Sequence, residues 1–251
     1  MKYLCTMKII PLSEGAFTID ASKKFIPFNS EKDNLQERAV GSLLVEIQPF
    51  LVITSKDILL LDTGLGFMQN GKLQIHEILM QQGIGANGVT KVLMSHLHKD
   101  HSGGISFEDG NGERKLSFPN AKYYVQEQEL DFALNGNHPS YKKEDVEILK
   151  DNPQTVLLNG DGKIDDYISY HLTGAHSPFH QVFWIQEDNE TVFFGGDDAP
   201  QLGQMRKRYI AKYDFDGRKC MELRQQWWTQ GEQEKWTFLF YHDVKSPMFK
   251  F

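Results

Sequence analysis

The 251-residue chain is 40% hydrophobic and 24% charged, a balance that lets a globular protein bury its own core and excludes disordered, collagen-like and coiled-coil classes. A formal net charge of -7 (27 basic against 34 acidic residues) works against polyanions, and no apolar run approaches the ~18 residues that cross a bilayer. Neither nucleic acid nor a membrane is therefore expected as a partner, and two cysteines, Cys5 and Cys220, are too few for a disulfide framework and fit a reducing, cytoplasmic setting.

In chain order, strands are expected at 6–12, at 42–53 as one run, and at 57–61 after a turn at Lys56-Asp57. Ile75, Ile78 and Leu79 at helical spacing predict a helix over 75–83 ended by Gly83, and 90–95 reads as a short buried strand. A strand at 121–125, a helix at 126–134 and a helix at 140–150 capped by Ser140 follow. Strands return at 168–172, 181–185 and 191–194, then a helix at 217–228 and a last strand at 237–241. No linker or repeat divides the chain, so a single α/β domain over 1–251 is expected. The basic run Arg206-Lys207-Arg208 reads as a solvated turn.

One stretch carries chemistry. His96-Leu97-His98-Lys99-Asp100-His101 begins where the predicted strand 90–95 ends, the end at which α/β folds bind ligands. On a tight turn, residues two, four and five apart converge on a small volume, and imidazole with carboxylate is a donor set for a divalent ion. Such a site needs more ligands than one loop supplies. His176, Asp197 and His242 each follow a predicted strand and are the candidates, whereas His76 and His138 stand alone and read as surface residues.

With Leu61-Asp62-Thr63-Gly64, Gly103-Gly104, the stretch from Thr173 to His180 and Gly196-Asp197 in the same order, the sequence resembles the metallo-β-lactamase superfamily from residue 61 to 242. The resemblance implies a four-layer αβ/βα sandwich with two divalent metal ions at one edge of the sheets. Zinc comes first, and iron or manganese also suit these donors. By position, His96, His98 and His176 would hold one metal, Asp100, His101 and His242 the other, and Asp197 would bridge them, with Asp198 as its rival. Asp62 and His180 resemble residues that support the ligands from behind.

Two such ions share a hydroxide that attacks at neutral pH, and Asp100 is the candidate proton shuttle. His98 stands where redox relatives carry Glu, and Asp197 where secreted zinc β-lactamases carry Cys. What remains resembles the compact lactonase-like branch. The expected partner is a small-molecule ester or lactone, such as an acyl-homoserine lactone, acted on by a monomer or homodimer. Phosphodiester or thioester hydrolysis and a non-catalytic sensor are the alternatives. Many lactonases of this kind place a Tyr three residues after the bridging Asp; here that residue is Pro200, so either another group, Tyr209 or Tyr213, takes the role or the substrate is different. Phe67, Met68 and Phe179 are candidates for a substrate pocket.

Overall fold

The computed structural model describes residues 7–69, 71–136 and 138–251; Cys5 and the first residue of the strand expected at 6–12 lie outside them. Two six-stranded sheets dominate. The first runs, in spatial order, Lys8–Pro11, Phe50–Ile53, Ile58–Leu61, Lys91–Leu93, Lys122–Gln126 and Thr155–Leu158. Its first two pairings are antiparallel and its last three parallel. The second runs Gly162–Ile164, Ile168–Leu172, Gln181–Glu187, Glu190–Phe194, Thr237–Leu239 and Met248–Lys250, with one parallel pairing, between Glu190–Phe194 and Thr237–Leu239.

Alternation along the strands explains the layering. Phe50, Val52, Leu59, Leu61 and Leu93 of the first sheet face Phe183, Ile185, Phe194 and Leu239 of the second in a shared core. Their chain neighbours Leu51, Leu60 and Val92 point the other way, onto Ile75 and Leu79 of the helix Gln74–Gln81 and Leu130 and Ala133 of Glu127–Asn135. Val182 and Phe193 leave the second sheet's outer face and pack on Trp227 of the long helix Gly217–Glu234. Because side chains alternate with period two, strands this apolar must be covered on both faces, and helix, sheet, sheet, helix is the result. The expected four-layer sandwich is what the chain forms.

Four expectations need correction. The run 42–53 is not one strand but two, Leu43–Ile47 and Phe50–Ile53, in different sheets. Pro49 has no N–H for a ladder, and its carbonyl instead accepts from Leu12. Leu43–Ile47 joins Gly15–Ile19 and Phe25–Pro27, two strands that the sequence reading missed, in a three-stranded sheet. The helix expected over 140–150 shrinks to Lys143–Val146 followed by a 3-10 turn, Glu147–Leu149, and Ser140 does not cap it. Ser140 is used elsewhere: its carbonyl accepts from Lys99, and Tyr141 forms an isolated antiparallel bridge with His98. The final strand stops at Leu239, short of the expected 241, and the helix from Gly217 runs on to Glu234.

Candidate metal centre

All the predicted ligands sit beyond strand ends at one edge of the sandwich. His96 and His98 follow Lys91–Leu93, His176 follows Ile168–Leu172, Asp197 follows Glu190–Phe194 and His242 follows Thr237–Leu239. His98 is the residue before a one-turn helix, Lys99–Ser102, that carries Asp100 and His101 inward. The glycines after it are required by packing. A Cβ on Gly104 would lie 2.1 Å from the Thr63 carbonyl oxygen, and one on Gly103 2.3 Å from that of Leu65. The loop after Asp62 thus lies backbone to backbone against the residues after His101.

The ligand atoms fall into two groups, His96, His98, His176 and Asp197, and Asp100, His101 and His242, with the atoms of each group within 4.8 Å of one another. Asp197 stands between them. Its Oδ2 is 3.2 Å from His176 Nε2, while its Oδ1 is 3.0 Å from His242 Nε2 and 3.3 Å from His101 Nε2. Asp198 is turned away: its carboxylate accepts the His176 backbone N–H at 2.7 Å and lies 3.1 Å from His180 Nδ1. Cys220, distant in sequence, brings its thiol to 3.6 Å from Asp198 and not to the ligand atoms.

The charges of this box are set by mutual neighbours. Burial, then the imidazoles around it, hold the His96 pKa well below its usual value, and burial with His176 does the same to His98. Burial also opposes charge on His101, His176 and His242, but the carboxylates around them, led by Asp197, together outweigh it and raise all three. The same histidines, led by His242, overcome the burial of Asp197 and keep its carboxyl well below the ordinary range. Ionised carboxylate and nitrogen lone pairs converging in a buried volume are a donor set for cations, with which protons compete. His96 Nε2, His101 Nε2 and Asp197 Oδ1 are buried with no hydrogen-bond partner of acceptable geometry. Buried polar atoms are ordinarily paired, so orphans aimed into one volume fit a divalent metal.

The far sides of the ligands are braced. Asp62, in a left-handed conformation with φ 55°, accepts the Ser95 N–H at 2.7 Å and the Ser95 hydroxyl at 2.6 Å, and meets His101 Nδ1 at 2.7 Å. His180 Nε2 accepts the Asp197 N–H at 3.1 Å. His242 Nδ1 donates to the Glu46 carbonyl at 2.7 Å, and the Tyr241 hydroxyl donates to the Asp100 carbonyl at 2.6 Å. The sequence reading missed Asp214, whose carboxylate is 2.9 Å from His176 Nδ1. Its signal is faint: it stands between Tyr213 and Phe215, and backbone N–H groups of Phe215 and Asp216 bond to the His176 and Ala175 carbonyls.

The pocket candidates separate. Phe67 and Met68 are exposed at the start of a small hairpin pairing Met68–Gln69 with Lys72–Leu73, and the Phe67 ring lies 5.7 Å from that of Phe17. Phe179 is half-buried beside Phe132, whose ring also meets Tyr141, and Tyr141 lies edge-on to His98 at 4.8 Å. His138 is exposed as expected, though its ring lies parallel to that of His98 at 6.4 Å. Pro200 is buried, and its carbonyl accepts the His242 N–H at 3.0 Å. Of the two tyrosines, Tyr213 stands 6.1 Å from the His176 ring, whereas the contact made by Tyr209 is through its carbonyl to Arg224.

The Metallo-beta-lactamase superfamily pattern matches residues 46–224. An N-acyl homoserine lactonase of Bacillus thuringiensis is 24% identical over 173 residues, a match that spans 69% of this chain and 63% of that protein. One from Bacillus cereus is 23% identical over 82% of this chain and 85% of its own length. Among solved structures, a probable metal-dependent hydrolase from Staphylococcus aureus superposes with a TM-score of 0.76 at 20% identity, over 97% of this chain and 92% of that one. AidC, a dizinc quorum-quenching lactonase in complex with a product, gives 0.71 at 20% identity over 97% and 90%. With a family match over more than half its length and a ligand box at the sheet edge, the chain belongs to the metallo-β-lactamase superfamily.

Proposed function

We propose that the chain is a dinuclear metal-dependent hydrolase of a carboxylic ester, with a lactone such as an acyl-homoserine lactone as the first candidate substrate. One observation carries the reading: the Asp197 carboxylate turns one oxygen toward each ligand group, amid buried atoms that no protein group satisfies. His96, His98 and His176 would hold one ion, Asp100, His101 and His242 the other, and Asp197 both. Bound there, two divalent ions, zinc foremost, would supply an activated water and polarise the substrate's carbonyl oxygen. The lactonase relatives support the substrate class.

The chain's own groups do the rest. Asp100 Oδ2, 3.5 Å from His242 Nε2 and 3.7 Å from His101 Nε2, would carry a proton from the attacking water to the leaving oxygen. Asp62 would fix the His101 ring so that its Nε2 faces inward. Tyr213 would take the place of the tyrosine missing at Pro200 and donate to the ring-opening oxygen. Phe179, with Phe132 and Tyr141 behind it, would form the apolar wall near His98, and Phe67 and Met68 the outer rim. The apolar core shared by the two sheets supports a single domain.

Elemental analysis of purified protein, followed by a panel of acyl-lactones of varied chain length, aryl esters, thioesters and phosphodiesters, tests the proposal. Two metals per chain and preference for lactones are expected, with turnover lost in His98→Ala and Asp100→Asn. Full metal occupancy with no turnover of any ester or lactone would overturn it, and faster cleavage of phosphodiesters would replace the substrate class.

A further inference from the structure

The helix Glu127–Asn135 lies on the outer face of the first sheet, yet one of its side chains reaches the centre's supports. Glu129 is buried. Its Oε1 accepts the Leu97 backbone N–H at 2.8 Å and the Tyr141 hydroxyl at 3.0 Å, and its Oε2 lies 3.5 Å from the Ser177 hydroxyl. Leu97 is the residue between His96 and His98, and Ser177 follows His176. A single carboxylate therefore touches both loops that supply the histidines of the first ligand group, and none of these contacts belongs to Asp100, His101 or His242.

The contact with Leu97 has geometric leverage. The His96 and His98 side chains leave the backbone on either side of that residue, so rotating its peptide would swing both imidazoles. A hydrogen bond to an ionised acceptor is about twice as strong as a neutral one, which makes a carboxylate an effective clamp. Tyr141 adds a second hold. It donates to the same oxygen, packs its ring edge-on to His98 at 4.8 Å, and shares a backbone bridge with that residue.

We infer that Glu129 is a positioning residue that sets the metal affinity of the His96, His98 and His176 group, and not that of the Asp100, His101 and His242 group. The inference rests on the two-metal reading above. It goes further in making the two sites separately adjustable from a helix that holds no ligand.

Cadmium-113 NMR of the full chain loaded with Cd2+ provides the test, because each site gives its own resonance and His242→Ala identifies the second by its loss. In Glu129→Gln the affinity of the first site should fall about 10- to 100-fold, the range for residues that orient ligands, with its resonance shifted and the second site unchanged. Tyr141→Phe, which removes one hydroxyl, should act in the same direction more weakly, and carries the test if Glu129→Gln does not fold. Equal loss at both sites, or no change at either, would overturn the inference and leave the two-metal reading standing. Wild-type protein that binds no Cd2+ would overturn both.

Discussion

The two sheet edges that meet at the centre are built in different ways. The first edge delivers His96, His98, Asp100 and His101 from six consecutive residues, so local backbone geometry places them. The second delivers His176, Asp197 and His242 from three separate loops, and tertiary contacts must place each one: Asp214 for His176, His180 for Asp197, and the Glu46 and Pro200 carbonyls for His242. A contiguous motif is cheap in chain entropy, because loop closure for its members is already complete. A dispersed set depends on its braces, and the comparison can be broken or sharpened at four places.

The largest effect is expected at Asp197, whose carboxylate lies between the two groups. Asp197→Asn should weaken both metals together and lower turnover more than about 100-fold, beyond what residues behind the ligands usually do. Metal titration by competition with a chromogenic chelator measures it, and retention of one metal at full affinity would show that the groups are independent. Next come the braces, one from each edge. Asp62→Ala should cost about 10- to 100-fold in affinity at the His101 group and also melt earlier, since Asp62 holds Ser95 as well. Asp214→Asn should lower affinity at the His176 group alone, with little change in melting temperature.

A smaller effect is expected where the loops touch. Gly104→Ala should destabilise the fold by about 3 kcal/mol, because the added carbon meets backbone that cannot rotate aside. Denaturant unfolding reads this directly, and an unchanged midpoint would mean that the loop after Asp62 yields easily.

The smallest is a pH effect at Glu14, under the same loop. Its carboxylate accepts the Leu65 N–H at 2.7 Å, and burial pushes its pKa up to about 7 from 4.5. A folded pKa above the unfolded one means that the folded chain holds the extra proton, so stability falls as pH rises from about 4.5 to about 7 and stays level above. The loss is on the order of 2 kcal/mol after local relaxation. Glu14→Gln should therefore melt above wild type at pH 8 and match it near pH 4.5. Parallel melting curves at every pH would refute this.

The first edge was legible from sequence, because an H-x-H-x-D-H run is chemistry written in consecutive residues. The second edge was legible only through strand ends and the family resemblance, which together picked out His176, Asp197 and His242. Braces were less visible. Asp62 and His180 came from the resemblance, whereas Asp214 and Glu129 act across 38 and 32 residues of sequence, and nothing local marks a carboxylate whose partner is that far away. Fold errors have the same origin. Residues 42–53 are apolar enough for one strand, and the switch between sheets at Pro49 is decided by partners at both ends. Ser140 looks like a helix cap until Lys99 claims its carbonyl.

The close backbone contact of 63–66 with Gly103-Gly104 also divides the molecule for anyone who would redesign it. Those residues form a two-ply seam with no room for an inserted residue or a larger one, so variation there should be purged by selection. Directly after it, Phe67 and Met68 open the hairpin that hangs from that seam, and both side chains are exposed, while its last residue, Leu73, is anchored in the core. Sequence can change more freely at these exposed positions, and a library confined to 67–69 would leave the ligands and the buried Leu73 undisturbed.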